Sequence, residues 1–185
     1  IKRDTKIKSL LKENDIEVKT FNGSLLWEPW EILKDDKTPY KVFSPFYRKG
    51  CLKKHSGPRE VITKNDYSFN DKLDSSGDIA SLNLLPKHHW KDKFDQYWNI
   101  GEESAMEKYI YFRDNGLTGY KEGRNFPAQE NVSVLSPHLH FGEISPHQIW
   151  FDDKSACPEK DVAHFHSELG WREFSYYLIY HFPFM

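Results

Sequence analysis

The sequence of 185 residues contains few cysteines and no long apolar run. Its only cysteines, Cys51 and Cys157, lie in unlike surroundings, and two such residues do not make a disulfide framework. A membrane-spanning helix needs roughly 18 consecutive apolar residues, and no stretch of that kind is present. The first ten residues, IKRDTKIKSL, lack the apolar core of a signal peptide. We therefore expect a soluble protein of the cytoplasm, with no membrane partner.

The sequence also lacks a large net charge, since 26 basic residues stand against 28 acidic ones. A net charge of −2 gives no general attraction to nucleic acid, so any polyanion must meet a local patch. One patch lies between positions 37 and 64, where Glu60 is the single acidic residue. Its basic members are Lys37, Lys41, Arg48, Lys49, Lys53, Lys54, Arg59 and Lys64. It could follow a phosphate backbone, or it could be a solvated loop.

Aromatic residues are abundant, with six Trp, ten Tyr and thirteen Phe. Such a content favours stacking on flat ligands or bases, although packing between helices better explains most of these residues individually. Close histidine pairs such as His138 with His140 and His164 with His166 invite a metal site. Positions i and i+2 of a helix point apart, and no cysteine completes a ligand set. We therefore expect no metal.

The chain begins with an α-then-β pattern and continues mainly as helices. Residues 2–14, KRDTKIKSLLKEN, predict a helix, and the alternation in IEVKTF at 16–21 predicts a strand. A long connection rich in proline, glycine and charge follows, up to about position 95. Beyond it, helices are predicted at 101–116 and from 159 to the end of the pattern at 182.

Two helix starts lie within ten residues of each other, at Ser136-Pro137 and Ser145-Pro146. Serine is a good N-cap, and proline fits the first helical position because its missing N–H has no partner there. Gln148 gives the second start the spacing of a capping box, and Gly142 can end the first helix. Helix N-termini can bind anions such as pyrophosphate, although most capped ends bind nothing.

The last predicted helix has two apolar stripes, and this pattern predicts a helix that is buried on two sides. One stripe contains Phe165, Leu169, Arg172 and Tyr176, and the other contains Trp171, Phe174 and Leu178. Glu168 and Arg172 are four residues apart, so we expect an ion pair. It is either an ordinary surface pair or a charged pair placed near a core.

Three segments together resemble the photolyase/cryptochrome family of flavoproteins, especially its bacterial cyclobutane pyrimidine dimer photolyases. They are PYKVFSPFYRKG at 39–50, GLTGYKEGRNFPAQENVSVLSPHLHFGEISPHQIW at 116–150 and FHSELGWREFSYYLIYHFP at 165–183. The resemblance implies an α/β remnant followed by a mainly α chain. Residues 1–30 would be the C-terminal end of an α/β antenna domain, 31–95 the interdomain linker, and 96–185 the first part of the all-helical FAD-binding domain.

The resemblance also implies the roles of individual residues. Tyr120 would pack on the flavin nucleotide, and the segment Val132, Ser133, Val134, Leu135 and Ser136 would wrap the FAD phosphates. Val132 and Val134 stand where many dimer photolyases have threonine and arginine.

Four further residues match positions that contact DNA in the family. Arg124 would contact the DNA backbone, and Glu168 would touch the lesion at the mouth of the flavin cavity. Trp171 would stack on the dimer, and Arg172 would belong to both the cofactor and the DNA region. Trp171 and Glu168 are thus the implied catalytic residues.

The implied function is a light-driven carbon–carbon lyase that uses FAD to repair pyrimidine dimers in DNA. A second chromophore, of the folate or deazaflavin type, would serve as antenna in a monomeric full-length protein. We expect this stretch to be an excerpt of that protein and to be inactive alone. Two alternatives stay open: a cryptochrome-type blue-light photoreceptor, and a helical DNA-binding module without enzymatic activity.

Overall fold

A computed structural model describes residues 2–54, 57–58, 78–84, 87–152 and 154–185. Within these ranges the chain is mainly helical and contains no β-strand. The α-helices are α1 (Lys2–Glu13), α2 (Phe43–Pro45), α3 (Glu102–Tyr111), α4 (Tyr120–Gly123), α5 (Ser136–Phe141), α6 (Pro146–Phe151) and α7 (Glu159–His181). The described residues also form two π-helical turns, at Phe46–Gly50 and Phe112–Gly116. They form 3₁₀ turns at Cys51–Lys53, Ile79–Leu82 and His89–Gln96. No helix in the described part is long and apolar enough to cross a membrane.

The first predicted helix is confirmed, but the strand predicted after it is wrong. Helix α1 ends where the side-chain amide of Asn14 donates to the Leu10 carbonyl, and Asp15 takes a left-handed conformation with φ of 57°. Residues 16–21 form no strand. A strand exists only through pairing with a neighbour, and the described residues provide none. The alternation of IEVKTF alone therefore does not produce one.

The chain divides into two compact units, and helix α7 contributes to both. Unit 1 consists of residues 1–54 and 170–185, and unit 2 of residues 55–169. In unit 1, the ring of Phe46 packs on Phe174 and Tyr177, with centroids 5.0 and 4.7 Å apart. The Tyr177 hydroxyl accepts a hydrogen bond from the backbone N–H of Tyr40 at 2.9 Å. These rings form the core of unit 1.

In unit 2, the helix predicted at 101–116 changes form near its end. Helix α3 covers Glu102–Tyr111, and the π-helical turn then carries the chain to Gly116. A Cβ at Gly116 would lie 2.5 Å from the Glu130 carbonyl oxygen, so the glycine permits a close backbone approach. The turn therefore brings residues 116–119 against the segment that precedes α5.

Of the two Ser-Pro helix starts, the second is confirmed and the first is wrong in detail. Ser145 caps α6, because its hydroxyl accepts from the His147 N–H at 3.2 Å and Gln148 accepts from the Ser145 N–H at 2.8 Å. Helix α5, however, already includes Ser136 and has Leu135 at its N-cap position, with no side-chain cap bond. The reason is that Leu135 is buried and already has helical backbone angles. Gly142 ends α5 with φ of 75°, as predicted.

Helix α7 has nearly the predicted length, but the prediction of its buried residues is partly wrong. Its buried side chains belong to Asp161, Phe165, Leu169, Glu173, Phe174 and Tyr177. Tyr176 is exposed, and Trp171 keeps 46% of its surface exposed. Glu168 and Arg172 do not pair with each other, because Glu168 pairs with Arg124 and Arg172 with Glu173. Closer partners thus replace the predicted i,i+4 pair.

Candidate cofactor and nucleic-acid site

Tyr120 lies at the start of α4 in unit 2 and is only 7% exposed. Phe112 and Phe165 meet its ring edge to face, with centroids 5.6 and 5.4 Å away. Gly119, with φ of 82°, makes the turn into α4. Burial raises the pKa of the Tyr120 hydroxyl. The ring is therefore fixed by its neighbours and stays neutral.

A buried carboxylate, Asp161, holds the start of α4 in place. Its two oxygens accept from the backbone N–H groups of Gly119 and Lys121, each at 3.0 Å. Burial acts to raise the pKa of Asp161, but these two bonds outweigh it, so that the pKa lies below its ordinary value. Asp161 is not among the predicted site residues, although its position four residues before Phe165 is a usable signal for the buried stripe of α7.

Arg124 and Glu168 form an ion pair beside Tyr120. The Arg124 guanidinium lies 5.5 Å from the Tyr120 ring centre, and the Glu168 carboxylate lies 4.0 Å from Nε2 of His164. The pairing with Glu168 raises the pKa of Arg124. Both side chains keep about a third of their surface exposed. The structure thus brings three of the predicted residues together, with the charge of Arg124 balanced by Glu168.

The segment 132–136 has a strained backbone at its centre. Val134 has φ of 52°, a left-handed conformation that is a genuine outlier for a β-branched residue. Val132 and Val134 are half exposed, whereas Leu135 is buried. Strain of this kind persists only where the surroundings impose it, and it often marks a binding segment.

Asn131 anchors that segment to the turn before α4. Its side-chain amide donates to the carbonyl oxygens of Gly116 and Thr118, at 2.8 and 3.1 Å. A Cβ added at Gly123 would overlap with the Asn131 side chain. Glycine is therefore needed there for the segment to approach α4.

The segment 132–136, which the resemblance assigns to the FAD phosphates, offers groups of the kind that a phosphate needs. Ser133 and Ser136 carry hydroxyl groups, and no side chain caps the first turn of α5, whose N–H groups would otherwise lack partners. Val132 and Val134 bring neither a hydroxyl group nor a charge. Contacts to a pyrophosphate would come from backbone N–H groups and the two serines, with Tyr120 against the nucleotide.

In unit 1, Trp171 presents a large exposed ring. Phe43 stacks on the Trp171 ring, with centroids 3.7 Å apart and planes 12° apart. Stacked aromatic rings are the usual platform for nucleobases, because every base has a π-face. The exposed position of Trp171 therefore agrees with a role in stacking.

Next to Trp171, Arg172 is bound to the buried carboxylate of Glu173, which is not among the predicted site residues. Glu173 is 3% exposed and accepts from Nη1 of Arg172 at 2.8 Å. It also accepts from the N–H groups of Leu26 and Trp27, at 2.8 and 3.4 Å. Burial raises the pKa of Glu173 to about 7. Arg172 is thereby held, with its guanidinium 5.1 Å from the ring centre of Tyr176.

Part of the basic patch surrounds an open cavity of about 420 Å³ in unit 1. Lys34, Lys41 and Lys49 line it together with a single acidic residue, Asp35. Lys54, by contrast, donates to the Glu31 carbonyl. Arg59, Glu60 and Lys64 lie outside the described residues. In the described part, no group of three or more His, Cys, Asp and Glu side chains could hold a metal ion.

The chain is similar to photolyases over nearly its whole length. The DNA photolyase family model matches residues 1–64. A deoxyribodipyrimidine photo-lyase of Agrobacterium fabrum is 36% identical, and the match covers 97% of this chain and 38% of that relative. A crystal structure of a bacterial class III photolyase from Agrobacterium tumefaciens has a TM-score of 0.88 at 35% identity, over 98% of this chain and 38% of that one.

The chain is similar to plant cryptochromes as well. Cryptochrome-1 of Arabidopsis thaliana is 27% identical, over 98% of this chain and 28% of that protein. The chain thus spans less than half the length of each of these relatives.

Proposed function

We propose that this chain, which belongs to the DNA photolyase and cryptochrome family, serves a light-driven lyase that splits pyrimidine dimers in DNA. The exposed Trp171 ring, stacked on Phe43, is the observation that carries the proposal. A dimer must leave the duplex to be repaired, which costs a few kcal/mol, and stacking on an aromatic ring offsets that cost by about 1–3 kcal/mol per base. The 36% identity to the Agrobacterium fabrum photo-lyase, against 27% to cryptochrome-1, supports the same choice.

In this proposal, the residues of unit 2 bind the cofactor. Tyr120 packs on the nucleotide, and the segment Val132–Ser136 wraps the phosphates. Bound FAD would supply the light-driven one-electron chemistry that splits the dimer, and these residues would hold and orient it. A folate or deazaflavin antenna would complete the full-length protein, a monomer of the cytoplasm.

Other residues in the proposal meet the DNA. Arg124 contacts a DNA phosphate, Glu168 touches the lesion, and Arg172 serves both the cofactor and the DNA. The lysines of the open cavity, Lys41 and Lys49 among them, give the backbone a positively charged surface. A charged surface of this kind positions DNA without reading its sequence.

Binding and repair assays on the full-length protein test the proposal. Trp171→Ala should weaken binding to an oligonucleotide with one thymine dimer by about 1–3 kcal/mol, because stacking is lost. The bound flavin, measured by its absorption, should not change. Trp30→Ala is the matched control, because Trp30 is a second exposed tryptophan of unit 1 outside the site.

The outcome also separates the alternatives. A protein that holds flavin but neither repairs dimers nor prefers dimer-containing DNA would be a photoreceptor like cryptochrome. One that binds DNA and never carries flavin would be a helical DNA-binding module. Unchanged dimer affinity in Trp171→Ala would remove Trp171 from the site.

A further inference from the structure

Trp171 is one of three nearly parallel rings that form a stacked column in unit 1. Phe43 lies next to it, with centroids 3.7 Å apart, and Tyr47 follows, 5.3 Å beyond Phe43 with planes 14° apart. Tyr47 is buried and Phe43 is half-buried, so the column runs from the interior to the surface. Phe43 therefore covers one face of the exposed Trp171 ring.

Gly170 makes room for this column. A Cβ at position 170 would lie 2.6 Å from two ring atoms of Tyr47 and 3.5 Å from Cζ of Phe43. The first distance is far below ordinary contact between carbon atoms. The residue before Trp171 must therefore be glycine for Tyr47 and Phe43 to pack where they do.

Phe43 is itself held by the elements that follow it. It begins α2, which leads directly into the π-helical turn at Phe46–Gly50. The rings of Phe46 and Phe174 are buried in the core of unit 1, and Phe174 meets the Phe43 ring edge to face at 5.9 Å. Phe174 also meets Trp171, at 6.0 Å. Phe43 is thus fixed on two sides, and its ring can in turn restrict the orientation of the Trp171 ring.

We propose that Phe43 is a positioning residue, which holds the Trp171 ring in one orientation so that its other face can stack on a base lifted out of a duplex. This inference rests on the proposed function. A ring that already has its bound orientation loses less conformational entropy when it stacks, so pre-organisation raises affinity without a new contact. A flat side chain at position 43 is required, because a branched aliphatic chain cannot stack on the indole.

Phe43→Leu in the full-length protein is the test. We expect affinity for dimer-containing DNA to fall about two- to tenfold, the range that ordering one side chain costs. Affinity for undamaged DNA and flavin content should not change, because neither uses Trp171. Phe43→Tyr should restore affinity, since it keeps the ring. Phe21→Leu is the control, because Phe21 is an exposed phenylalanine of the same unit.

A second measurement reports on Trp171 directly and separates this inference from the proposed function. The fluorescence of Trp171 is obtained as the difference between each protein and its Trp171→Phe counterpart. Phe43→Leu should increase acrylamide quenching and lower the anisotropy of that signal. Unchanged quenching and anisotropy would overturn the positioning role. If the wild-type protein binds no dimer, the proposed function fails, while the fluorescence still decides what Phe43 does.

A double-mutant cycle gives the final check. In a Trp171→Ala background, Phe43→Leu should have no further effect on dimer affinity, because the ring that it positions is gone. Additive losses from the two substitutions would mean that Phe43 acts independently of Trp171, and this would also overturn the inference.

Discussion

Helix α7 carries two buried carboxylates, one in each unit. Both accept hydrogen bonds from backbone N–H groups, but their pKa values are shifted in opposite directions. Asp161 is 1% exposed and binds the backbone N–H groups of Gly119 and Lys121, and Glu173 is 3% exposed and binds those of Leu26 and Trp27. The pKa of Asp161 is lowered, whereas the pKa of Glu173 is raised to about 7. Hydrogen bonding alone therefore does not decide the charge of a buried acid.

The difference lies in what surrounds each carboxylate. Asp161 is in the first turn of α7, where the helix dipole favours a negative charge, and Lys160 and Lys121 add to that effect. Glu173 is in the middle of α7 among the buried rings of unit 1, and burial outweighs its bonds to Arg172 and the two N–H groups. The two acids should consequently respond to pH in opposite directions.

The largest effect should come from titrating Glu173. Its folded pKa of about 7 exceeds the ordinary value of 4.5, so its contribution to stability is complete below pH 4.5 and is lost as the pH rises to about 7. The shift corresponds to a change on the order of 3 kcal/mol. Amide hydrogen exchange at Leu26 and Trp27, corrected for its intrinsic pH dependence, should show protection falling over this range.

Glu173→Gln is the matched variant, because glutamine keeps an acceptor oxygen but does not titrate. Protection at Leu26 and Trp27 should then be nearly independent of pH between 4.5 and 7. Protection that rises with pH in the wild type would show that the ion pair with Arg172, rather than burial, controls Glu173.

Asp161→Asn should have the second largest effect. Asparagine keeps one acceptor oxygen and turns an NH₂ group toward the other backbone donor, so one of the two bonds is lost, at about 1–3 kcal/mol. Exchange at Gly119 and Lys121 should accelerate, and FAD affinity of the full-length protein should fall because Tyr120 is no longer held. Asp114→Asn is the control, since Asp114 is an exposed acid paired with Arg113 in the same unit.

The pH dependence of Asp161 has the opposite sign to that of Glu173. Because its folded pKa is lowered, its contribution is present above the ordinary value of 3.8 and is lost as the pH falls below it. Acidification should therefore weaken protection at Gly119 and Lys121 while it preserves protection at Leu26 and Trp27. If protection from exchange changed with pH in the same direction at both pairs of amides, the two pKa values could not be shifted in opposite directions.

The sequence predicted the helices well and the long-range contacts poorly. Local signals sufficed for α1, for α7 and for the capping box at Ser145, because each depends on residues close in sequence. The strand at 16–21 failed because pairing needs a distant partner. The domain boundaries near residues 30 and 95 stay a prediction.

The candidate site shows the same limit. Motifs marked Tyr120, Arg124, Glu168 and Trp171, and the structure brings the first three together in unit 2. Asp161 lies in none of these motifs, and Phe43 lies in the segment 39–50 without having been assigned a role there; both make contacts with segments remote in sequence. Helical periodicity suggested a pair of Glu168 with Arg172, but an ion pair forms with whichever partner the fold brings closest. Sequence spacing cannot reveal that partner.

The third carboxylate of α7, Glu168, should show the smallest effect on stability and so complete the comparison. It keeps 33% of its side chain exposed, and exposed ion pairs such as that with Arg124 contribute about 0–1 kcal/mol. Glu168→Gln should leave the melting temperature of the full-length protein within about two degrees of the wild type, because glutamine can still accept from Arg124. Repair of dimers under blue light should nevertheless slow, because in the proposed function this carboxylate touches the lesion. Glu107→Gln, an exposed glutamate on α3, is the control for both measurements. A large loss of stability with normal repair would make Glu168 a structural residue like Asp161, rather than part of the site.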